Sequence, residues 1–164
     1  MKALLALGAA LVATPAAAET VRDAVAADLP SLMAIYRELH ANPELSFEEV
    51  TSSARMASEA KKLGFDVTTN VGGHGVVAVM RNGPGPTLLI RADMDALPLT
   101  EQTGLPYASK VKGKMHACGH DGHTAMLLGA AKYLAETRNF DGTAVIIFQP
   151  AEEGGAGGLA MVKD

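Results

Sequence analysis

Two short apolar runs separated by a helical segment constrain the fold of this chain most strongly. The runs are residues 87–91 and 143–148, with the sequences TLLIR and TAVIIF, and the helical pattern between them covers residues 122–136. Uninterrupted apolar runs of this length are typical of strands buried on both faces. Strands that alternate with helices form a sheet covered by helices. The pattern therefore predicts an α/β fold, a three-layer sheet flanked by helices.

The remaining elements fit this architecture. Residues 32–39 carry apolar side chains at helical spacing, and Pro43 is expected to end that helix. Residues 46–49, with the sequence SFEE, have the pattern of a capping box that opens a second helix. Residues 65–69 and 76–80 are short runs typical of strands. We expect the carboxyl ends of the buried strands to form the functional edge of the sheet.

The first 18 residues have the layout of a secretory signal peptide. Lys2 supplies a positive charge, residues 3–12 are small or apolar, and residues 15–18 form a cleavage site of the A-x-A kind. The apolar run is shorter than the roughly 20 residues that span a bilayer, which disfavours a membrane anchor. We therefore expect a signal peptide over residues 1–18 and a periplasmic or secreted mature protein over residues 19–164.

The charge balance excludes nucleic acid as an expected partner. The chain has 14 basic and 18 acidic side chains, for a net charge of −4 at pH 7. The leader contains one of the lysines and none of the acids, so the mature protein is more acidic still. This balance offers no attraction to nucleic acid, and no membrane partner is expected after signal cleavage. A hydrophobic content of 48% is typical of a globular domain, and the length suits one such domain.

A cysteine and a histidine two residues apart give the strongest chemical signal. Residues 115–124 have the sequence MHACGHDGHT, which places Cys118 and His120 on a loop that enters a helix. Thiolate and imidazole groups are ligands for a borderline divalent metal such as zinc. Cys118 is the only cysteine, so it cannot form an internal disulfide, and in an oxidising compartment a bound metal would protect it.

Two adjacent glutamates follow the second apolar run. Residues 149–153 have the sequence QPAEE and end in Glu152 and Glu153. A solvated surface pair is the commonest fate of such residues. At the end of a core strand, however, one carboxylate can bind metal while its neighbour serves as a proton acceptor, because successive side chains of an extended segment point opposite ways. The spacing alone does not assign these two roles.

Other interpretations of the motif residues stay open. Cys118 and His120 could form a catalytic dyad, or could be a buried cysteine and a structural histidine. Chelation is favoured, because the partners of known dyads come from distant parts of the chain. His116 and His123 could be further ligands.

Two aspartates and two histidines carry weaker signals. Asp93 and Asp95 lie two apart after the first apolar run, where they could cap the strand end or orient a ligating histidine. His40 and His74 have no neighbours in the sequence that support a role. Residues 155–160 match G-x-G-x-x-A, but pyrophosphate would be repelled by the adjacent glutamates, so no cofactor-binding residues are predicted.

Three motifs in order resemble the hippurate hydrolase branch of the amidohydrolase/aminoacylase metallopeptidase family. They are RADMDALP at residues 91–98, MHACGHDGHT at 115–124 and QPAEEG at 149–154. Residues 37–49 are similar to that family's first helix and loop, and the resemblance covers residues 31–164.

The resemblance implies a chemistry and a role for each matching residue. It implies two divalent ions (zinc, manganese or cobalt) and hydrolysis of the amide bond of a small N-acyl amino acid such as hippurate. Cys118, His120 and Glu153 are the implied metal ligands, and Glu152 is the implied general base. Asp95 matches the family's aspartate that contacts a metal ligand rather than the metal itself. Asp93 stands where other branches place a ligating histidine.

Family members are longer than this chain. They supply further histidine ligands after the glutamate pair, and an inserted lid and dimerisation domain. We therefore expect residues 19–164 to be the amino-terminal part of the catalytic domain, with that second domain absent, weak metal binding and little activity alone. A homodimer is expected only for the full-length enzyme. The alternative is a non-catalytic exported module that binds a metal or a small ligand.

Overall fold

The computed structural model describes residues 20–164. The expected signal peptide therefore lies outside the described residues. Among the helices of residues 20–164, none is long and apolar enough to cross a membrane. The helices are α1 (Val21–Ala41), α2 (Val50–Lys62), α3 (His120–Thr137) and α4 (Gly157–Lys163), and the strands are β1 (Asp66–Val71), β2 (Gly75–Asn82), β3 (Thr87–Asp93) and β4 (Gly142–Gln149).

The four strands form one mixed sheet in the order β1-β2-β4-β3. The pairs β1–β2 and β2–β4 are antiparallel, whereas β3 and β4 are parallel and are joined through α3. A parallel pair needs such a crossover, while a short turn suffices between β1 and β2. Asp93 is in register with Gln149, so β3 and β4 end at the same level. The loops that follow these two strands consequently leave the sheet side by side.

The core lies between one face of the sheet and the helices that pack on it. Both α2 and α3 contact the sheet, and α1 packs against α3 and contributes Ile35 and Leu39 to the core. The strand residues that face these helices alternate along the chain, as the pleat requires. This arrangement, with helices around a central sheet, confirms the predicted α/β fold. The core residues from the strands include Val76, Ala78, Met80, Ala92, Ile146 and Phe148.

The opposite face of the sheet is covered only in part by the described residues. The short helix α4 lies there. Val76 faces the core, so Gly75, the preceding residue of β2, faces the opposite side, and Met161 of α4 lies beside it. The prediction that β3 is buried on both faces was wrong: Leu88 and Leu89 are 62% and 54% exposed. Leu88 is in register with Ala144 and lies on the face that the helices cover, whereas Leu89 lies on the opposite face; β3 is the edge strand, and neither face is fully covered near its start.

The capping box predicted for residues 46–49 was also wrong. Helix α2 begins at Val50, and the free amide groups of its first turn are bound by Glu44. The carboxylate of Glu44 accepts hydrogen bonds from the N–H groups of Thr51 and Ser52, at 2.9 and 2.8 Å. The two capping residues of the predicted box, Ser46 and Glu49, instead contact Asp95 after β3 and Ala151 after β4, close to the candidate site.

Replacing Ile146 tests the position of the core. Ile146 is fully buried at the centre of β4, so Ile146→Ala leaves a cavity and is expected to lower the free energy of unfolding by about 2–5 kcal/mol. The exposed Leu88 on the adjacent strand is the control, and Leu88→Ala should change it by less than about 0.5 kcal/mol. Urea denaturation measures both. Equal losses would contradict this assignment of the core.

Candidate metal centre

The candidate site lies where the loops after β3 and β4 meet the start of α3. Gly119, immediately before α3, has a φ of 84°, a conformation that favours glycine. It turns the chain between Cys118, on the loop, and His120, the first residue of the helix. The glutamate pair follows β4 directly. Three segments that are distant in sequence therefore converge on one edge of the sheet, as predicted.

Three of the predicted ligands lie together. One ligand atom each of Cys118, His120 and Glu153 falls within 4.8 Å of the other two. His120 Nε2 and Glu153 Oε1 are 3.8 Å apart. Glu153 Oε1 is buried and accepts no hydrogen bond from the described residues. A buried carboxylate oxygen without a partner is unfavourable, and a divalent cation would satisfy it. The donor set and this oxygen fit a metal ion.

The orientation of His120 leaves one ring nitrogen free. Its Nδ1 lies 2.8 Å from the main-chain oxygen of Asp95. A carbonyl oxygen only accepts, so Nδ1 carries the hydrogen and Nε2 offers its lone pair. His120 is 4% exposed, which leaves the ring little freedom to rotate. The imidazole is therefore fixed with its free nitrogen towards the glutamate pair, as a metal ligand requires.

The carboxylate of Asp95 holds the main chain of the glutamate pair. Its Oδ1 accepts the N–H of Glu152 at 3.0 Å, and its Oδ2 accepts the N–H of Glu153 at 2.9 Å. The hydroxyl of Ser46 donates to Oδ2 at 2.6 Å. Asp95 is 1% exposed, so these bonds are shielded from water. One side chain thus connects the first loop, the end of β3 and the end of β4.

Both glutamates face the same imidazole. Glu152 Oε2, like Glu153 Oε1, lies 3.8 Å from His120 Nε2. The predicted divergence of the two side chains assumed an extended segment, but Ala151 has a φ of 51° and turns the chain before the pair. The two carboxylates differ in exposure instead, because the side chain of Glu152 is 43% exposed and that of Glu153 is 21% exposed. Glu152 is the more accessible to a substrate.

Asp93 joins the end of β3 to the first turn of α3. Its Oδ1 lies 2.7 Å from His123 Nδ1, and its Oδ2 lies 2.9 Å from Arg91 Nη1. Burial alone would raise the pKa of Asp93, but the hydrogen bond to His123, the nearby imidazole of His120 and the charge of Arg91 outweigh it and lower that pKa. Asp93, His120 and His123 also lie within 4.8 Å of one another, which makes them a second group of candidate ligands.

The surroundings of Cys118 disfavour the catalytic dyad. The adjacent carboxylate of Glu153, together with slight desolvation and the charges of Glu152 and Asp93, raises the pKa of the exposed thiol. A nucleophilic cysteine needs the opposite, a pKa lowered by positive neighbours. Carboxylates beside a thiol suit a cation site better.

A buried network around His40 was missed by the sequence analysis. His40 Nδ1 lies 2.6 Å from Asp121 Oδ2, and its Nε2 lies 3.3 Å from Glu101 Oε1. These partners are 81 and 61 residues away in sequence, so local neighbours gave no signal; the nearest clue was Asp121 beside the ligand motif. The network ties the end of α1 to the first turn of α3. Burial disfavours the charged imidazole, but the two carboxylates outweigh it and raise the pKa of His40.

The other two histidines do not join the ligand cluster. His116 is 4% exposed, and neither ring nitrogen has a hydrogen-bond partner among residues 20–164. Burial lowers the pKa of its imidazole, which keeps the ring neutral. His74 is half-buried in the turn between β1 and β2.

Comparison with known sequences identifies the family. Residues 89–164 match the sequence profile of Peptidase family M20/M25/M40. This part of the chain belongs to the M20 peptidase family. The match confirms the resemblance drawn from the three motifs, and it spans β3 to α4. It includes every residue of the candidate centre, namely Asp95, Cys118, His120, Glu152 and Glu153.

Curated relatives match most of this chain. The hippurate hydrolase of Campylobacter jejuni is 50% identical over 131 residues, which are 79% of this chain and 34% of that protein. The N-acetyl-L-cysteine deacetylase of Bacillus subtilis is 48% identical over 135 residues, 81% of this chain and 32% of the relative. The chain therefore spans about a third of the length of these curated relatives.

A solved M20 structure shares the fold. The YXEP protein of Bacillus subtilis, described as a dinuclear metal-binding peptidase of the M20 family, is 42% identical with a TM-score of 0.79. The match covers 84% of this chain and 39% of that one.

The charge on His40 gives a testable pH dependence. Because folding raises the pKa of His40 above the usual histidine value of about 6.5, the folded chain binds the proton more tightly than the unfolded chain does. The resulting stability is fully present below about pH 6.5 and is lost as the pH rises through the raised pKa. Urea denaturation from pH 5.5 upwards measures the free energy of unfolding. We expect its decrease with rising pH to disappear in His40→Gln and to persist in His74→Gln. An unchanged slope in His40→Gln would contradict the network.

Proposed function

We propose that this protein is a metal-dependent hydrolase that cleaves the amide bond of small N-acyl amino acids such as hippurate. The observation that carries the proposal is the approach of Cys118, His120 and Glu153 within 4.8 Å, with the carboxylate of Glu152 beside them. The names of two relatives, hippurate hydrolase and N-acetyl-L-cysteine deacetylase, support the substrate class, since each names an N-acylated amino acid.

Cys118, His120 and Glu153 are the metal ligands in this proposal. A thiolate, a neutral imidazole and a carboxylate suit zinc, manganese or cobalt. Two ions are proposed because the related YXEP protein is described as binding two metals. Divalent ions at such a site acidify a water molecule and polarise an amide carbonyl. The sequence contains no histidine after His123, so residues 1–164 do not supply the further histidines that the resemblance implies.

Glu152 is the proposed general base. Its carboxylate takes a proton from the attacking water, whose oxygen adds to the acyl carbon. When the carbon–nitrogen bond breaks, Glu152 returns the proton to the leaving amine, which gives a carboxylic acid and a free amino acid. The exposure of Glu152 and its 3.8 Å separation from His120 Nε2 support this role, since water and a small substrate can approach an exposed carboxylate.

Asp95 is the proposed support for both halves of the centre. Its main-chain oxygen binds His120 Nδ1, and its carboxylate binds the amides of Glu152 and Glu153. Groups that hold ligands in this way commonly affect metal affinity nearly as much as the ligands themselves.

Export to the periplasm or out of the cell is part of the proposal. It is supported by the signal-peptide pattern of residues 1–18. The substrate is the small partner, and a homodimer is proposed for the full-length enzyme only.

Cobalt binding tests the ligand set in the 164-residue chain. Co²⁺ reports a thiolate ligand through a ligand-to-metal absorption band, and a titration gives its affinity. We expect Cys118→Ala, His120→Ala and Glu153→Ala to weaken binding by more than the roughly 10- to 100-fold typical of losing a supporting hydrogen bond. Glu152→Gln should bind as the wild type does. Undiminished binding by Cys118→Ala would show that the proposed ligand set is wrong.

Turnover of hippurate by the full-length gene product tests the proposed base. Glu152→Gln should lower kcat by about 10²- to 10⁴-fold, because the proton acceptor is lost, while the metal content stays unchanged. Release of glycine measures the rate, and the exposed Glu136 provides a matched control, Glu136→Gln. A non-catalytic binding module would show no turnover in the wild type either, and full activity in Glu152→Gln would exclude the proposed mechanism.

A further inference from the structure

A buried carboxyl group outside the proposed mechanism lies directly beneath the glutamate pair. Glu49 is fully buried, and its Oε1 accepts the N–H of Ala151 at 2.7 Å. Its Oε2 is also buried and has no hydrogen-bond partner among the described residues. No lysine, arginine or histidine of residues 20–164 forms an ion pair with it. Burial of a carboxyl group with one unpaired oxygen and no ion-pair partner is unfavourable, which suggests that Glu49 has a role beyond stabilising the fold.

The partner of Glu49 is the turn that directs both glutamates. Ala151 has a φ of 51°, which residues other than glycine adopt only where their surroundings hold them. It is fully buried, and its main-chain oxygen accepts the N–H of Gly157 at 3.0 Å. Because Ala151 immediately precedes the pair, its conformation sets the directions in which Glu152 and Glu153 leave the main chain.

Two carboxyl groups together bind three successive amides. The N–H of Ala151 donates to Glu49, and the next two N–H groups donate to the two oxygens of Asp95, at 3.0 and 2.9 Å. We call Glu49 and Asp95 the carboxyl cradle. Asp95 comes from the loop after β3, whereas Glu49 comes from the start of α2, so the turn is held from two independent parts of the fold.

We propose that Glu49 is a positioning residue for the metal centre. By binding the amide of Ala151, it fixes the turn that presents Glu153 to Cys118 and His120 and places Glu152 beside them. This inference rests on the proposed function for the roles of the ligands and the base, but the fixing of the turn can be measured separately.

The chemistry required of Glu49 is a neutral acceptor of fixed length. Burial, aided by the nearby charge of Asp95, raises the pKa of Glu49 and favours its neutral form. A glutamine side chain has the same length and the same acceptor oxygen. A leucine side chain fills similar space but accepts no hydrogen bond. The pair Glu49→Gln and Glu49→Leu therefore separates the hydrogen bond from the packing.

Glu44 provides a matched control in the same segment. It also accepts main-chain N–H groups, those of Thr51 and Ser52, but at the start of α2 rather than at the metal centre. Glu44→Leu should lower stability through the lost helix cap and leave the metal centre unchanged. It therefore shows what a purely structural loss of a carboxylate does.

The test combines amide exchange and cobalt binding in the 164-residue chain. We expect Glu49→Leu to speed hydrogen exchange at residues 151–153 and to weaken Co²⁺ binding about 10- to 100-fold, with an altered thiolate absorption band. Glu49→Gln should keep both close to their wild-type values, because its side chain has the same length and the same acceptor oxygen. Glu44→Leu should change neither. If Glu49→Leu does not fold, Glu49→Asp replaces it, since the shorter side chain withdraws the acceptor.

Each outcome decides the inference. Unchanged exchange at residues 151–153 in Glu49→Leu would overturn it, and so would altered exchange with unchanged cobalt affinity. If the wild-type chain bound no cobalt through Cys118, the proposed ligand set would fail; the exchange data would then still decide whether Glu49 fixes the turn. If Glu49→Gln behaved like Glu49→Leu, the inference would also be overturned, because loss of the hydrogen bond would then not explain the faster exchange and weaker cobalt binding.

Discussion

The hydrogen bonds of the Asp95 carboxylate are the interactions on which the candidate centre depends. They join the loop after α1, the end of β3 and the end of β4 through one side chain that water does not reach. The parallel pairing of β3 with β4 makes this possible, because it brings both strand ends to the same level. Without that register, the segments that carry Cys118 and Glu153 would lie apart, and neither motif alone would form the candidate ligand set.

The centre concentrates negative charge, and the structure offsets only part of it. Arg91 forms an ion pair with Asp93, and main-chain amides donate to Asp95, whereas the carboxylates of Asp93, Glu152 and Glu153 all approach the single imidazole of His120. Like charges held this closely repel one another in a region of low dielectric constant. A divalent cation relieves the repulsion, so its binding energy also favours the folded state of the chain.

The sequence predicted the convergence of the ligands because the signals were local. Apolar runs located β3 and β4, and residues placed just after such strands meet at one edge of a sheet. What failed depended on distant partners. His40 had no visible role because its two carboxylates lie more than sixty residues away. Ser46 and Glu49 matched a local capping pattern, but neither caps α2. Ser46 donates to Asp95, and Glu49 accepts the N–H of Ala151 after β4. The N–H groups at the start of α2 are bound by Glu44 instead. The exposure of β3 followed from its place in the sheet order, which composition does not encode.

The carboxyl cradle also has a consequence for how the chain folds. The amide of Ala151 is bound by a residue 102 positions earlier, and that of Glu153 by one 58 positions earlier. Contacts of such long sequence separation are slow to form, because the intervening chain must first lose its freedom. A peptide covering residues 115–153 contains all three ligands and yet lacks both halves of the cradle. The site is thus assembled late, as a product of the whole sheet rather than of the motifs that mark it.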